Sequence, residues 1–365
     1  MARVDLMRAA VVGCGSLGRT HTKVLAEIDE AAMVAFCDIN ESAASALCET
    51  AGGEYATTDV ARVLEDDSID AVYVCTLHDS HASLCIAAAE AGKHILVEKP
   101  LALTVEECLE VGRAVERTGV KLFTALKMRY YENIIRTREL IAEPLMITMQ
   151  MMDNPWKCDF WANDPVMGGG NVISQGCHSS DIIRHIARRD PLEVFAVGGN
   201  YYQPTGVTDN LCATFRFEDN IAASWVQGDC SCPSMTGKFF MQVFAEGISV
   251  GLHNRFCTMT ISRRGQEREV IEGCETGFLE ENRGFVDCVI NDTPPTIDHI
   301  DGLMATLMPL QAIASARDGE SKQIKSVLEA ALAGAGWAHR QGVRCARAGR
   351  WRPSAPPTRG RGRTG

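Results

Sequence analysis

Three glycines near the start constrain this chain more than any other feature. Gly13, Gly15 and Gly18 follow an apolar run, residues 9–12, and lead into a helix-forming run, residues 20–28. The order is strand, tight turn, helix. Gly13 is placed to make the turn, Gly15 to let a phosphate approach the backbone, and Gly18 to let helix and strand pack closely. Ser16 and Leu17 stand where the helix begins, and a helix start offers free N–H groups and partial positive charge. A second apolar run, residues 33–37, ends in Asp38, twenty residues after Gly18. A carboxylate there can accept hydrogen bonds from both ribose hydroxyls of NAD and repel the extra phosphate of NADP. A dinucleotide pocket for NAD is expected, with NADP disfavoured.

The next hundred residues repeat the alternation. Strands are expected at 71–76, 94–97 and 121–124, and helices at 41–51, 59–65, 80–91 and 104–118. Asn40 is a candidate N-cap and Thr104-Val105-Glu106-Glu107 a candidate capping box. This predicts an α/β Rossmann domain, a doubly wound and mostly parallel sheet, over residues 1–125. Beyond it the pattern changes. A helix is expected at 132–143. Strand-like runs then dominate: 145–152, 192–200, 210–217, 222–228, 238–244, 258–262 and 267–271. Helices are expected at 180–187, 282–290 and 301–318. An α+β domain with an open, largely antiparallel sheet is predicted for residues 126–335. Residues 340–365 hold eight arginines and no acid, and are expected to be a disordered basic tail.

The net charge of −11 argues against a nucleic-acid binder. No run is long enough to span a membrane, and no signal-peptide core precedes the first strand, so a cytoplasmic location is expected. Fifteen cysteines, mostly single in apolar contexts, read as small buried hydrophobes, and no metal centre is expected.

Two segments carry candidate chemistry. Lys99 directly follows the strand at 94–97, at the carboxyl edge of the sheet where a nicotinamide would lie, and Pro100 fixes the turn. Such a lysine can hydrogen-bond a substrate hydroxyl and help move its proton. His178 follows Gly168-Gly169-Gly170 at the edge of a helix. A histidine's ordinary titration near neutral pH suits proton transfer. Asp181, three residues on, can share its helix face.

Four segments together resemble the glucose–fructose oxidoreductase / inositol dehydrogenase / rhizopine-catabolism (Gfo/Idh/MocA) family. They are residues 13–21, ending in His21; residues 70–81, ending in His81; Glu98-Lys99-Pro100; and residues 168–181. The resemblance spans roughly residues 8 to 320. It implies a two-domain fold whose second sheet supplies substrate contacts and an oligomer interface, giving a homodimer or homotetramer. It implies hydride exchange between a nicotinamide and a carbinol carbon of a sugar, amino sugar or cyclitol. Lys99 takes the place of the proton-relay lysine and His178 that of the acid/base. Thr76, His81, Glu98 and Lys127 are expected at the cofactor. Arg129, Trp156, Ser174, Gln175 and Asp181 are expected at the substrate.

Three departures stand out. Ser174 occupies a position where many members carry an aspartate, so His178 is expected to be a weaker base. Leu77-His78 replaces a common Pro-Asn pair, and Lys127 replaces a frequent asparagine. Two further readings remain open: an NAD-binding sensor without turnover, and an enzyme that uses tightly held NAD transiently during epimerisation or elimination.

Overall fold

The computed structural model describes residues 6–232, 237–273 and 277–334. The expected basic tail lies outside them. The first layer is built from β1 (Met7–Val12), α1 (Ser16–Leu25), β2 (Ala31–Cys37), α2 (Glu41–Ala51), β3 (Tyr55–Thr57), α3 (Val60–Leu64), β4 (Ala71–Val74), α4 (His81–Glu90), β5 (His94–Val97), α5 (Val105–Thr118) and β6 (Leu122–Thr124). Its six strands run in the order β3-β2-β1-β4-β5-β6, every pair parallel. The order reverses between β1 and β4, so a crevice opens there at the carboxyl ends of the strands, where sheets of this kind bind ligands. Helix α1 starts at Ser16, earlier than periodicity suggests, because Gly15 serves as its N-cap. Asn40 caps α2 through the Ser42 N–H at 3.1 Å, and Thr104 with Glu107 closes a capping box on α5.

The chain then forms α6 (Glu132–Leu140), β7 (Met146–Met152), α7 (Asn171–Ser174), α8 (Gly176–Ala187), β8 (Pro191–Gly199), β9 (Asn210–Phe217), β10 (Ala222–Gly228), β11 (Phe239–Ala245), β12 (Ile248–His253), β13 (Thr258–Arg263) and β14 (Glu269–Glu272). It closes with α9 (Phe278–Ile290), α10 (His299–Asp318), β15 (Lys322–Gln323) and α11 (Lys325–Gly334). The second sheet runs β14-β13-β12-β11-β7-β10-β9-β8-β15, antiparallel except where β7 meets β10. Its strands alternate buried and exposed residues, as a sheet covered on one face requires.

The two layers are joined by chain that returns. Phe285, Val286, Cys288 and Val289 of α9 pack into the core beneath β1 with Ala9 and Val11. Gly302 of α10 lies so close to the first layer that a Cβ there would stand 2.5 Å from Thr124 Oγ1.

Candidate active site

The glycine turn has the geometry its sequence calls for. Gly13 sits at φ +96°, and a Cβ on it would lie 2.5 Å from the Cys75 carbonyl at the end of β4. A Cβ on Gly18 would lie 2.0 Å from the Gly13 carbonyl. At Gly15 an added Cβ meets nothing within 4 Å, and no side chain caps the start of α1. The helix N-terminus, with Ser16 and Leu17 in its first turn, therefore faces open space and fits a pyrophosphate. Asp38, at the end of β2, accepts the Cys14 N–H at 2.7 Å and the Asn40 N–H at 2.8 Å. Its carboxylate is thereby fixed at the rim of the same turn.

Around the ends of β4 and β5 the polar groups are tightly partnered. His81 is fully buried, with Nδ1 2.7 Å from the Pro100 carbonyl and Nε2 3.3 Å from the Thr76 carbonyl, so it ties the two strand ends together. Thr76 is half-buried and accepts the Ser80 hydroxyl at 2.7 Å. His21 bridges Glu98 Oε1 and Asn282 Oδ1, each at 3.1 Å. Burial opposes ionisation of Glu98, but the hydrogen bond and charge of His21, with Lys99 and Lys127, hold its carboxyl below the usual range. Lys127 places its ammonium 3.8 Å over the Phe278 ring.

Lys99, from the first layer, reaches the segment that leads into the helix of His178, in the second. The Lys99 ammonium donates to the Ser174 carbonyl at 2.8 Å, across the break between α7 and α8. Four residues on, His178 sits in the first turn of α8, inside the helix and not at its edge, because α8 begins at Gly176. Gly176 is required there: a Cβ would press 2.8 Å against the Trp225 ring. His178 is buried, and its Nδ1 has no hydrogen-bond partner among the described residues. Burial, then the charges of Lys99, Lys127 and Lys238, push the imidazole well below its usual 6.5. It is neutral at neutral pH.

The other expected substrate contacts separate into two groups. Arg129 and Asp181 face one another: Arg129 Nε lies 3.0 and 2.9 Å from the two Asp181 oxygens. Arg129 also pairs with Asp301 at 3.0 Å, and Arg184 joins Asp301 at 2.7 Å. This buried network locks α8 against α10 and the segment after β6. Burial opposes ionisation of Asp301, but the two arginines outweigh it and hold the carboxyl well below its usual range. Trp156 and Gln175 are half-buried, and Ser174 is buried. The Trp156 indole N–H donates to Asp153 at 3.2 Å. His78 joins the layers through Nδ1, 3.1 Å from the Gly168 carbonyl, and stands edge-on to Trp161 with ring centroids 4.7 Å apart.

Sequence reasoning missed three groups. Lys238, just before β11, forms a 2.6 Å ion pair with Asp153, just after β7. The only signal is a charge at the head of an apolar strand; the pairing itself depends on register. Glu281, on α9, is fully buried, and neither carboxylate oxygen has a partner among the described residues. Burial, then the charge of Glu98, push its carboxyl well above the usual range.

Comparison with known proteins agrees with this architecture. Residues 7–126 match the family profile described as "Oxidoreductase family, NAD-binding Rossmann fold", and residues 135–240 match a GFO/IDH/MocA C-terminal domain. A D-apiose dehydrogenase of Paraburkholderia graminis is 34% identical over 89% of this chain and 91% of its own length. A myo-inositol 2-dehydrogenase of Thermotoga maritima is 27% identical over 88% of this chain and its whole length. The crystal structure of a probable dehydrogenase from Thermotoga maritima superposes with a TM-score of 0.76 at 26% identity, covering 88% of this chain and all of that one.

Proposed function

The chain belongs to the Gfo/Idh/MocA family of oxidoreductases, and on that premise we propose that it uses NAD to interconvert a secondary alcohol and a ketone on a sugar, amino sugar or cyclitol. The observation that carries this reading is the convergence of Lys99 and His178. Lys99 follows β5 of the first sheet, His178 stands on α8 of the second layer, and a 2.8 Å hydrogen bond from Lys99 to the Ser174 carbonyl holds the lysine beside the histidine's helix.

When bound, the nicotinamide supplies the acceptor for the hydride that leaves the carbinol carbon. The protein handles the proton. Lys99 Nζ has further N–H groups to orient the substrate hydroxyl, and the neutral His178 ring can take the hydroxyl proton as the carbonyl forms. In the reverse direction the protonated ring returns it. Arg129, Asp181 and Asp301 act at one remove by fixing the helix that carries His178. Gly15 and the start of α1 would hold the pyrophosphate, and Asp38 the adenosine ribose, which favours NAD over NADP. Glu98 and Lys127 would line the nicotinamide end.

The exposed face of the second sheet is assigned to pairing with a second copy, giving a homodimer or homotetramer. Val197, Cys212 and Val226 align across β8, β9 and β10, with Phe195 and Phe244 exposed on the same sheet. Sedimentation velocity tests that assignment. The catalytic reading is tested by adding NAD to the protein with inositols, pentoses, hexoses and amino sugars and following reduced nicotinamide by absorbance. Substrate-dependent reduction supports it. Retention of NAD binding with no reduction on any of these substrates would refute it.

A further inference from the structure

We propose that Asp153 and Lys238 form a charge-balanced clamp that reads two adjacent hydroxyls of the substrate, next to the hydroxyl served by Lys99 and His178. This rests on the catalytic reading above. The clamp is built by sheet register. β7 and β11 pair antiparallel with Met151 opposite Phe239, and the Met152 N–H donates to the Lys238 carbonyl at 3.1 Å. The residue after β7 and the residue before β11 thus leave the sheet side by side, at the end where Ser179 of α8, next to His178, lies 3.4 Å from the Met151 sulfur. Their side chains meet at 2.6 Å, and each keeps 19% of its surface exposed. The pair is neither solvated freely nor sealed in the core.

Its surroundings mark it as part of the site. The charge of Lys238 reaches both His178 and Lys99. The Trp156 indole N–H holds Asp153 from the other side at 3.2 Å, and the half-buried Trp156 ring packs edge-on to Phe160, with centroids 5.2 Å apart. Stability does not account for the lysine. A mostly buried ion pair is weak evidence for stability, because desolvation offsets its attraction, and Lys238 is in addition repelled by Lys99 and Arg255. A binding role does account for it.

The chemistry of the pair selects its ligand. A lysine alone would favour an anion. With Asp153 beside it the local charge is balanced, and a substrate carboxylate would face the Asp153 carboxylate. A donor and an acceptor side by side instead match a vicinal diol, one hydroxyl accepting from Lys238 Nζ while its neighbour donates to Asp153. Trp156 adds apolar surface for the C–H face of a ring.

The test measures ternary binding by calorimetry on the full chain saturated with NADH. The probes are myo-inositol, D-glucose and D-xylose, their monodeoxy analogues, and D-glucuronate. At least one neutral polyol is expected to bind. Lys238→Gln and Asp153→Asn should each weaken it tenfold or more while NADH affinity stays within twofold. One deoxy analogue should bind the unaltered protein at least tenfold more weakly and respond less than threefold to Lys238→Gln. If a variant also loses NADH, the deoxy comparison on the unaltered protein decides alone. Equal losses for parent and deoxy analogues, tenfold tighter binding of glucuronate than glucose, or no binding by any polyol would overturn the clamp. Reduction of NAD by the unaltered protein on the same panel separates the two readings: turnover with clamp variants unaffected removes the clamp and leaves the oxidoreductase.

Discussion

Gly18 and Gly15 stand three residues apart, yet alanine at each should fail in a different way. At Gly18 the added Cβ would lie 2.0 Å from the Gly13 carbonyl oxygen, and no side-chain rotation can relieve a clash with backbone. Reaching ordinary contact near 3.4 Å requires a separation of about 1.4 Å between α1 and the glycine turn. That shift also disturbs the contact of His21, on α1, with Glu98, at the end of β5. Overpacking of this kind costs about 1–3 kcal/mol, which lowers Tm by roughly 2–12 °C for a domain of this size class. At Gly15 the Cβ meets no protein atom, and φ −73°, ψ −156° is open to alanine. The cost there is confined to a poorer N-cap, about 0.5–1 kcal/mol. What Gly15→Ala does obstruct is the approach of a pyrophosphate, so NAD affinity should fall at least tenfold, about 1.4 kcal/mol. Thermal unfolding of both variants with and without NAD reads the two effects separately. Gly18→Ala should unfold early in either condition. Gly15→Ala should stay within a few degrees of the parent without NAD and lose the stabilisation NAD confers. A Gly15→Ala protein that keeps that full stabilisation would refute the placement of the phosphates at α1.

Lys99→Met should lower turnover by about 10²-fold or more, the scale of a positioned proton-transfer group, with NAD affinity held within twofold; stopped-flow reduction of NAD checks it, and near-normal turnover removes Lys99 from the chemistry. Asp38→Ala should weaken NAD and narrow the preference over NADP, read from kcat/KM with each; an unchanged ratio means Asp38 does not meet the ribose. Glu281 is held protonated in the fold, so its folded pKa exceeds the unfolded one near 4.5 and it subtracts stability progressively as pH rises above that value. Glu281→Gln should therefore stabilise the protein increasingly above pH 5 in denaturant titrations, and a pH-independent difference would contradict the assignment.

The parts of the site that could be read in the sequence are those carried by short, ordered segments. Gly13, Gly15, Gly18 and Asp38 lie on one strand-turn-helix-strand unit, so spacing alone implies their meeting. Lys99 follows a strand whose end is marked by Pro100, and the triple glycine announces the turn before His178. Contacts set by long-range register were hidden. Lys238 and Asp153 are 85 positions apart, and only the pairing of β7 with β11 joins them. Arg129 and Asp181 each resemble a substrate contact, but α8 turns one toward the other. Strands β3 and β15 are two or three residues long and too short to show a period. β12, Ile248–His253, carries Gly251 in its centre, which weakened its strand signature. The return of α9 to the first sheet is likewise invisible locally, because an amphipathic helix does not name the surface it covers.

Ser174 gives the site its own electrostatic balance, and that balance can be reversed. Where an aspartate would favour the imidazolium, this chain supplies a neutral hydroxymethyl group, and Lys99, Lys127 and Lys238 all act against a proton on His178. The ring therefore starts neutral, the form that accepts a substrate proton, and three cations oppose its protonated form. The folded pKa lies well below 6.5, so activity that needs the neutral ring persists down through pH 6.5 and is lost only at lower pH, as the folded value is crossed. Ser174→Asp places a carboxylate one helical turn from His178 and beside the carbonyl that holds Lys99. An anion within about 4–6 Å raises a histidine's pKa by roughly 1–3, so the acid limb of kcat/KM should move up by about one pH unit or more. Activity on the acid limb should fall relative to pH 8 while the NADH dissociation constant stays level. An acid limb that does not move would mean that His178 is not the group whose neutral form the reaction needs.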